Sequence, residues 1–317
     1  MDPISALLDG PHARGAFLLR SVLRPPWSMR IADEAPLTVL TVLRGSGWVV
    51  LADGRSQDVS AGDVVLLRGP RPYVVADDPA TLPQVLVGPG QQCSPIGPGG
   101  AAAMTALGTR AWGNAGDAAG GETVLLTGTY PAPGAVGARL VRALPELVVV
   151  PADDGTRAVT RLLAAETARE APAQGAVLDR LLDVTLVSAL RALAGRPDGG
   201  APGWFLAAGD PVVGPALALL HDRPADPWTV ASLAAAVGVA RATLARRFTT
   251  LVGEPPMSYL AGWRMAVATD LLRDPQLTLT GIARRVGYAS PFALSTAFKR
   301  ATGVSPAVHR AAATRAD

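Results

Sequence analysis

Two stretches near the C-terminal end carry one pattern twice, WTVASLAAAVGVARATLARRFTTLVG at 228–253 and LTLTGIARRVGYASPFALSTAFKRATGVSP at 277–306. Thr229 and Thr278 stand where a helix would be capped. Leu233-Ala234 and Ile282-Ala283 fill one pair of slots, Val237-Gly238 and Val286-Gly287 another, then Phe248 and Phe298, then Gly253 and Gly303. Each part has a mechanical reason. The small Ala234 or Ala283 lets two helices cross closely, and the glycine supplies the left-handed conformation that ends the first of them. The spacing therefore predicts two helix-turn-helix units joined by a helix over 255–274.

In each unit the second helix is amphipathic. Leu244 with Phe248, and Leu294 with Phe298, are expected to bury one face. The other face then presents Arg241, Ala242, Ala245 and Arg246 in the first unit, and Pro291, Phe292, Ser295 and Thr296 in the second. Helices presented this way fit the major groove of DNA. Charge agrees with that placement: from residue 215 onward 12 Lys and Arg face 6 Asp and Glu, whereas the preceding residues hold 17 against 20. Only the C-terminal part is thus suited to a polyanion.

The rest of the 317 residues is different in kind. Between about 17 and 90, short apolar runs (FLLRSVL, LTVLTVL, GWVVLA, DVVLLR, YVVA) alternate with turn residues, the pattern of a sandwich or barrel, and Asp53-Gly54 is a hairpin signal. Residues 91–121, rich in Gly, Ala and Pro, read as a loop; strand signal returns at TVLLTGTY and ELVVVP. After Pro151 the period becomes helical. Asp153 and Asp154 can cap a helix near Gly155, and a second helix over about 176–194 has an apolar surface too wide for one contact. Packing on the barrel and pairing with a second copy would both use it. GRPDGGAPGWFLAAGDP, 195–211, reads as an interdomain linker.

The WRM segment of the joining stretch and the GVSP that ends the second unit complete a resemblance to the AraC/XylS family of transcription regulators. Residues 37–79 and, loosely, the chain to about 151 resemble the cupin sensor domain of one branch of that family. The expected fold is α+β multidomain: a cupin-like β-barrel over 1–151, a helical hairpin over 152–195, a linker over 196–214 and an all-α DNA-binding domain over 215–317. The resemblance implies that two recognition helices read successive major-groove segments. Arg246 is then suited to bidentate contact with guanine, with Arg241 beside it. Arg247, Lys299 and Arg300 are suited to phosphate, Ser290, Ser295 and Thr296 to hydroxyl contacts, and Phe292 to a thymine methyl; Ala242 and Thr243 lie on the same surface. It also implies a homodimer on double-stranded DNA, contact with RNA polymerase and a small-molecule effector, without separating activator from repressor.

Within the barrel, the sensor branch often has histidines where this chain has Leu40 and Tyr73. With His12, His221 and His309 far apart and Cys93 the single cysteine, no metal, cofactor or internal disulfide is expected. Trp27, Met29, Arg30, Trp48 and Tyr73 are instead the candidates to hold an apolar or aromatic effector with one polar handle. Cys93 is a candidate redox sensor. A regulator without effector, and a cupin enzyme with a helical appendage, are the competing possibilities; the missing imidazoles disfavour the enzyme. The N-terminal MDPISALLDGPHARG lacks a signal-peptide pattern and no run of about 18 apolar residues occurs, so a cytoplasmic protein without membrane contact is expected.

Overall fold

The computed structural model describes residues 17–97, 104–108, 110–115, 122–130, 134–169, 171–196 and 203–313. Its described residues fall into two compact units, one sheet-rich within His12–Ala132 and Leu144–Gly200, the other helical within Pro133–Ala143 and Ala201–Asp317.

In the sheet-rich unit, β1 (Phe17–Leu23), β3 (Leu37–Arg44), β6 (Val64–Arg68), β10 (Thr105–Gly108), β11 (Ala111–Gly113), β12 (Thr123–Tyr130) and β13 (Leu147–Val150) form one sheet, ordered β10-β11-β1-β12-β3-β6-β13. The second sheet, β5-β4-β7-β2-β8-β9, is built from β2 (Ser28–Ile31), β4 (Ser46–Leu51), β5 (Ser56–Ser60), β7 (Tyr73–Ala76), β8 (Val85–Val87) and β9 (Cys93–Pro95). The two sheets share a core to which one contributes Leu40, Val42, Val65, Leu67 and Leu125 and the other Met29, Val49, Leu51, Tyr73 and Val75. This is the double-sheet barrel that the alternating runs require. β4 and β5 turn at Asp53-Gly54, where Gly54 has φ 87°. Strands β9, β10 and β11 lie in the stretch expected to be loop; they form by pairing with β8 and β1, a tertiary cause that local composition does not reveal.

Helix α1 (Ala135–Ala143) lies between β12 and β13 in the chain, within the stretch expected to belong to the barrel, where no helix was expected. It belongs to the helical unit. Its start is fixed by Asp270, whose two carboxylate oxygens accept from the N–H groups of Ala135 and Val136 at 2.6 and 3.0 Å. Helices α2 (Asp154–Thr167) and α3 (Gln174–Ala194) form the hairpin of the sheet-rich unit. Asp153 and Thr156 make a reciprocal capping box on α2, worth about 1 kcal/mol. On α3, Leu178, Leu182, Leu186, Leu190 and Leu193 face inward, while Val177 and Val184 remain exposed, as does Leu162 on α2.

The helical unit continues with α4 (Gly203–Ala208), α5 (Val213–Asp222), α6 (Val230–Ala236), α7 (Arg241–Val252), α8 (Pro256–Leu271), α9 (Leu279–Arg285), α10 (Pro291–Thr302) and α11 (Pro306–Ala313). α4 occupies part of the stretch expected to be linker. It is helical because Phe205 and Ala207 are buried in packing with α7 and α5, which outweighs the neighbouring Gly and Pro. No helix among the described residues is long and apolar enough to cross a membrane.

Candidate nucleic-acid interface

Both helix-turn-helix units are built by the same local chemistry. Thr229 accepts from the Ser232 N–H at 3.0 Å while Ser232 Oγ accepts from the Thr229 N–H at 2.9 Å; Thr278 accepts from the Gly281 N–H at 3.1 Å. These caps start α6 and α9. Val237 and Val286 end them, and Gly238 (φ 73°) and Gly287 (φ 75°) turn the chain through a conformation that a side chain would strain. Behind the turns, Leu233, Ala234, Leu244 and Phe248 are essentially inaccessible, as are Ile282, Ala283, Leu294 and Phe298. Each fully buried Phe makes its recognition helix part of a packed core, so the opposite face is held outward.

That outward face carries most of the expected residues. On α7, Arg241, Ala242 and Arg246 are exposed and Thr243 is half-buried; on α10, Phe292, Thr296 and Lys299 are exposed and Ser295 is half-buried. Phe292 is 83% exposed, so it is not a contact within the domain. Ser290 has a structural duty as well, accepting from the Ala293 N–H at 3.1 Å as the N-cap of α10. Thr249, exposed three residues beyond Arg246, and Arg284 and Arg285, exposed in the last turn of α9, are further candidates that went unnoticed in the sequence. The helical spacing from Arg246 and the paired arginines of IARRVG were the available signals.

One arginine is placed otherwise than expected. Arg247 is a partner of Asp210, with N–O distances of 2.7 and 2.8 Å from its Nη2 and Nε to one carboxylate oxygen and 3.0 Å from Nε to the other. Its guanidinium fork therefore ties α7 to the turn before α5 and is not free to grip phosphate. Asp210 also accepts from the N–H groups of Val212 and Val213 at 2.9 Å. Burial pushes its carboxyl up, yet the Arg247 hydrogen bond and these two N–H groups outweigh that and hold it below the usual carboxylate range. Arg300 is exposed in the last turn of α10 and also lines a cavity walled by α1, α8 and α10.

The two recognition helices are held at a fixed separation by α8. Arg264 on α8 donates to Pro224 O at 2.7 Å and Asp226 O at 2.8 Å, securing the turn that leads into the first unit, and burial lowers its pKa. Gly287 in the second unit stands against the same turn, where a side chain would collide with the backbone of Ala225. Both units are thus registered on one element.

The sheet-rich unit offers less than expected. Met29 and Tyr73 do line a narrow interior cavity of about 30 Å³, lined also by Asp33 and Gln91, which are hydrogen-bonded at 2.7 Å. That space admits little more than a water molecule. Burial pushes the Tyr73 hydroxyl above its ordinary pKa. Trp27 is sealed in the core, while Arg30 and Trp48 are on strand faces opposite the interior, because the alternation of β2 and β4 points Met29, Ile31, Val49 and Leu51 inward. Cys93 is exposed on β9, and desolvation raises its thiol pKa, the reverse of what a reactive thiolate needs. No group of three His, Cys, Asp or Glu among the described residues is placed to hold a metal.

Comparison with known proteins gives two family matches, a cupin family over residues 2–195 and a helix-turn-helix domain over residues 233–312. A putative AraC-like transcription regulator of Streptomyces lividans is 32% identical over 98% of both chains. The HTH-type transcriptional regulator AlkR of Acinetobacter baylyi is 28% identical over 98% of this chain and 99% of its own. Among solved structures, the DNA-binding domain of the global transcriptional factor AdpA, in complex with a target DNA, is 35% identical. That match covers 33% of this chain and 93% of that one, with a TM-score of 0.31.

Proposed function

The chain belongs to the AraC-like transcription regulators with an N-terminal cupin, and from that premise we propose how its own residues read DNA and receive a signal. α7 and α10 lie in successive major-groove segments on one face of the duplex. Arg246 makes a bidentate contact to guanine, worth about 1–3 kcal/mol of base discrimination, and Arg241 holds either a base edge or a phosphate. Phe292 packs on a thymine methyl, with Ser290, Ser295 and Thr296 as hydroxyl partners. Lys299 and Arg300 neutralise phosphates. The observation that carries this division is the exposure of Phe292 at 83% on the face of α10 opposite the buried Leu294 and Phe298. A large apolar ring held out in water by a packed helix is suited to an apolar partner.

The regulator works as a homodimer in the cytoplasm. The stripe of Val177 and Val184 on α3, with Leu162 on α2, supplies an apolar surface for a second copy. The barrel receives the signal, and its state alters DNA binding or polymerase contact. Since its interior cavity is so small, a ligand there must open the space beside Met29 and Tyr73.

The test is selection of preferred sites from a random DNA pool by the full-length protein at a stated salt concentration. A motif of two segments about one helical turn apart is expected. A single short motif would contradict the use of both helices.

A further inference from the structure

A cavity with a chemically distinctive wall lies within the helical unit, not the barrel. It measures about 610 Å³, inside the range of about 300–1,000 Å³ usual for small-molecule sites. Ala261, Met265 and Ala266 on α8, with Ala297 and Ala301 on α10, give it an apolar floor; Arg139 and Arg142 on α1 and Arg300 on α10 give it a cationic rim. Among the described residues no carboxylate lines it. Arg139 is committed already, to Glu254 at 3.2 Å and over the Tyr259 ring at 5.0 Å, and is seated against Gly262, where a side chain would collide with it. The nearby Asp270 is engaged with the N–H groups of α1. Arg142 and Arg300 form no ion pair among the described residues.

We propose that this cavity binds an organic anion with an apolar body, and that occupation draws Arg300 away from DNA. A free inorganic anion would have no use for the floor, and a neutral apolar molecule would make no charge-assisted contact with the two guanidiniums on the rim. Arg300 is on the second recognition helix, one position from Lys299, so an anion in the cavity competes with the phosphate backbone for the same charge. The consequence for DNA rests on the regulator function proposed above; the site itself rests on the cavity alone.

The test uses the full-length protein and naphthalene-1-sulfonate, with neutral naphthalene-1-methanol and inorganic sulfate for comparison, by titration calorimetry. Naphthalene-1-sulfonate should bind once per chain, and the other two at least about tenfold more weakly, the size of one lost charge-assisted contact. Arg142→Gln should weaken it about tenfold. Ala261→Phe, at an exposed position on the cavity wall, should abolish it. Both variants should keep the wild-type affinity for a selected DNA site when the compound is absent. In the wild type alone, saturating compound should lower DNA affinity several-fold and reduce the salt slope by about one. Equal binding of all three compounds, undiminished binding by Ala261→Phe, or unchanged DNA affinity would each overturn the proposal. Loss of sequence-specific DNA binding in every form, with selective sulfonate binding intact, would instead overturn the DNA-binding role and leave the site standing.

Discussion

Arg246 on α7 and Thr296 on α10 occupy matching positions over matching cores, as do Ala242 and Phe292, and Thr249 and Lys299. The buried frame is repeated almost residue for residue, Leu233 with Ile282, Ala234 with Ala283, Leu244 with Leu294, Phe248 with Phe298. The exposed face is not repeated. The first unit presents guanidinium groups and the second an aromatic ring with hydroxyls, so one scaffold serves two kinds of contact. The second turn is also one residue longer, from Gly287 to Leu294 against Gly238 to Leu244, and its helix gains a side-chain cap at Ser290 where the first has only Ala240.

The shared frame is tested by the largest effect. Phe248→Ala and Phe298→Ala should each cost about 3–5 kcal/mol, measured by urea unfolding followed through helical circular dichroism. A small loss in one and a large loss in the other would end the equivalence of the two cores.

Acid should separate the units next. His221 is buried beside the first unit, sharing a 2.7 Å hydrogen bond between its Nε2 and the Tyr259 hydroxyl and stacked on Trp263 at 4.0 Å. Burial, assisted by the nearby Arg139 charge, lowers its pKa from 6.5 to about 3. The unfolded chain therefore takes up a proton that the folded chain refuses. Stability from this group is complete above pH 6.5 and is lost as pH falls toward 3, by about 1.4 kcal/mol per pH unit. Comparing urea midpoints of wild type and His221→Gln through this range isolates the effect. Equal acid losses in both would show that His221 contributes nothing.

The divergent faces are tested on DNA. Arg246→Ala should relax specificity by about 1–3 kcal/mol at one base position in one half of the site, and Phe292→Ala by somewhat less in the other half. Lys299→Ala should weaken all sequences alike and reduce the salt slope by about one. A uniform effect from all three would mean that base and phosphate contacts are wrongly divided. The smallest effect concerns the caps: Ser290→Ala should cost about 1 kcal/mol in urea unfolding and Ala240→Ser should gain a comparable amount. No change in either would leave the two helix starts energetically alike.

What could be read from the sequence follows the range of the forces involved. Thr229, Thr278, Gly238 and Gly287 act on their immediate neighbours, so the caps, turns and buried Phe positions of both units were legible. The Arg247–Asp210 pair was not, because its partners are 37 residues apart and nothing local distinguishes Arg247 from Arg246. Helix α1 was hidden for a similar reason: its start depends on Asp270, 135 residues away in sequence from Ala135. In the barrel, periodicity located the strands and their alternating faces but not which face was inward, so Trp48 and Arg30 stood among the effector candidates although both lie on outer faces. Matching those faces to the interior requires knowing that β4 pairs β7 and that β7 pairs β2.

The central claim is that one rigid helical unit places two different reading faces one turn of DNA apart. Inserting about five base pairs between the two segments of a selected site rotates one face of the duplex away from the other. Affinity of the full-length protein for the altered site should then fall to that for a site with a single segment. Unchanged affinity would contradict the rigid, two-helix account.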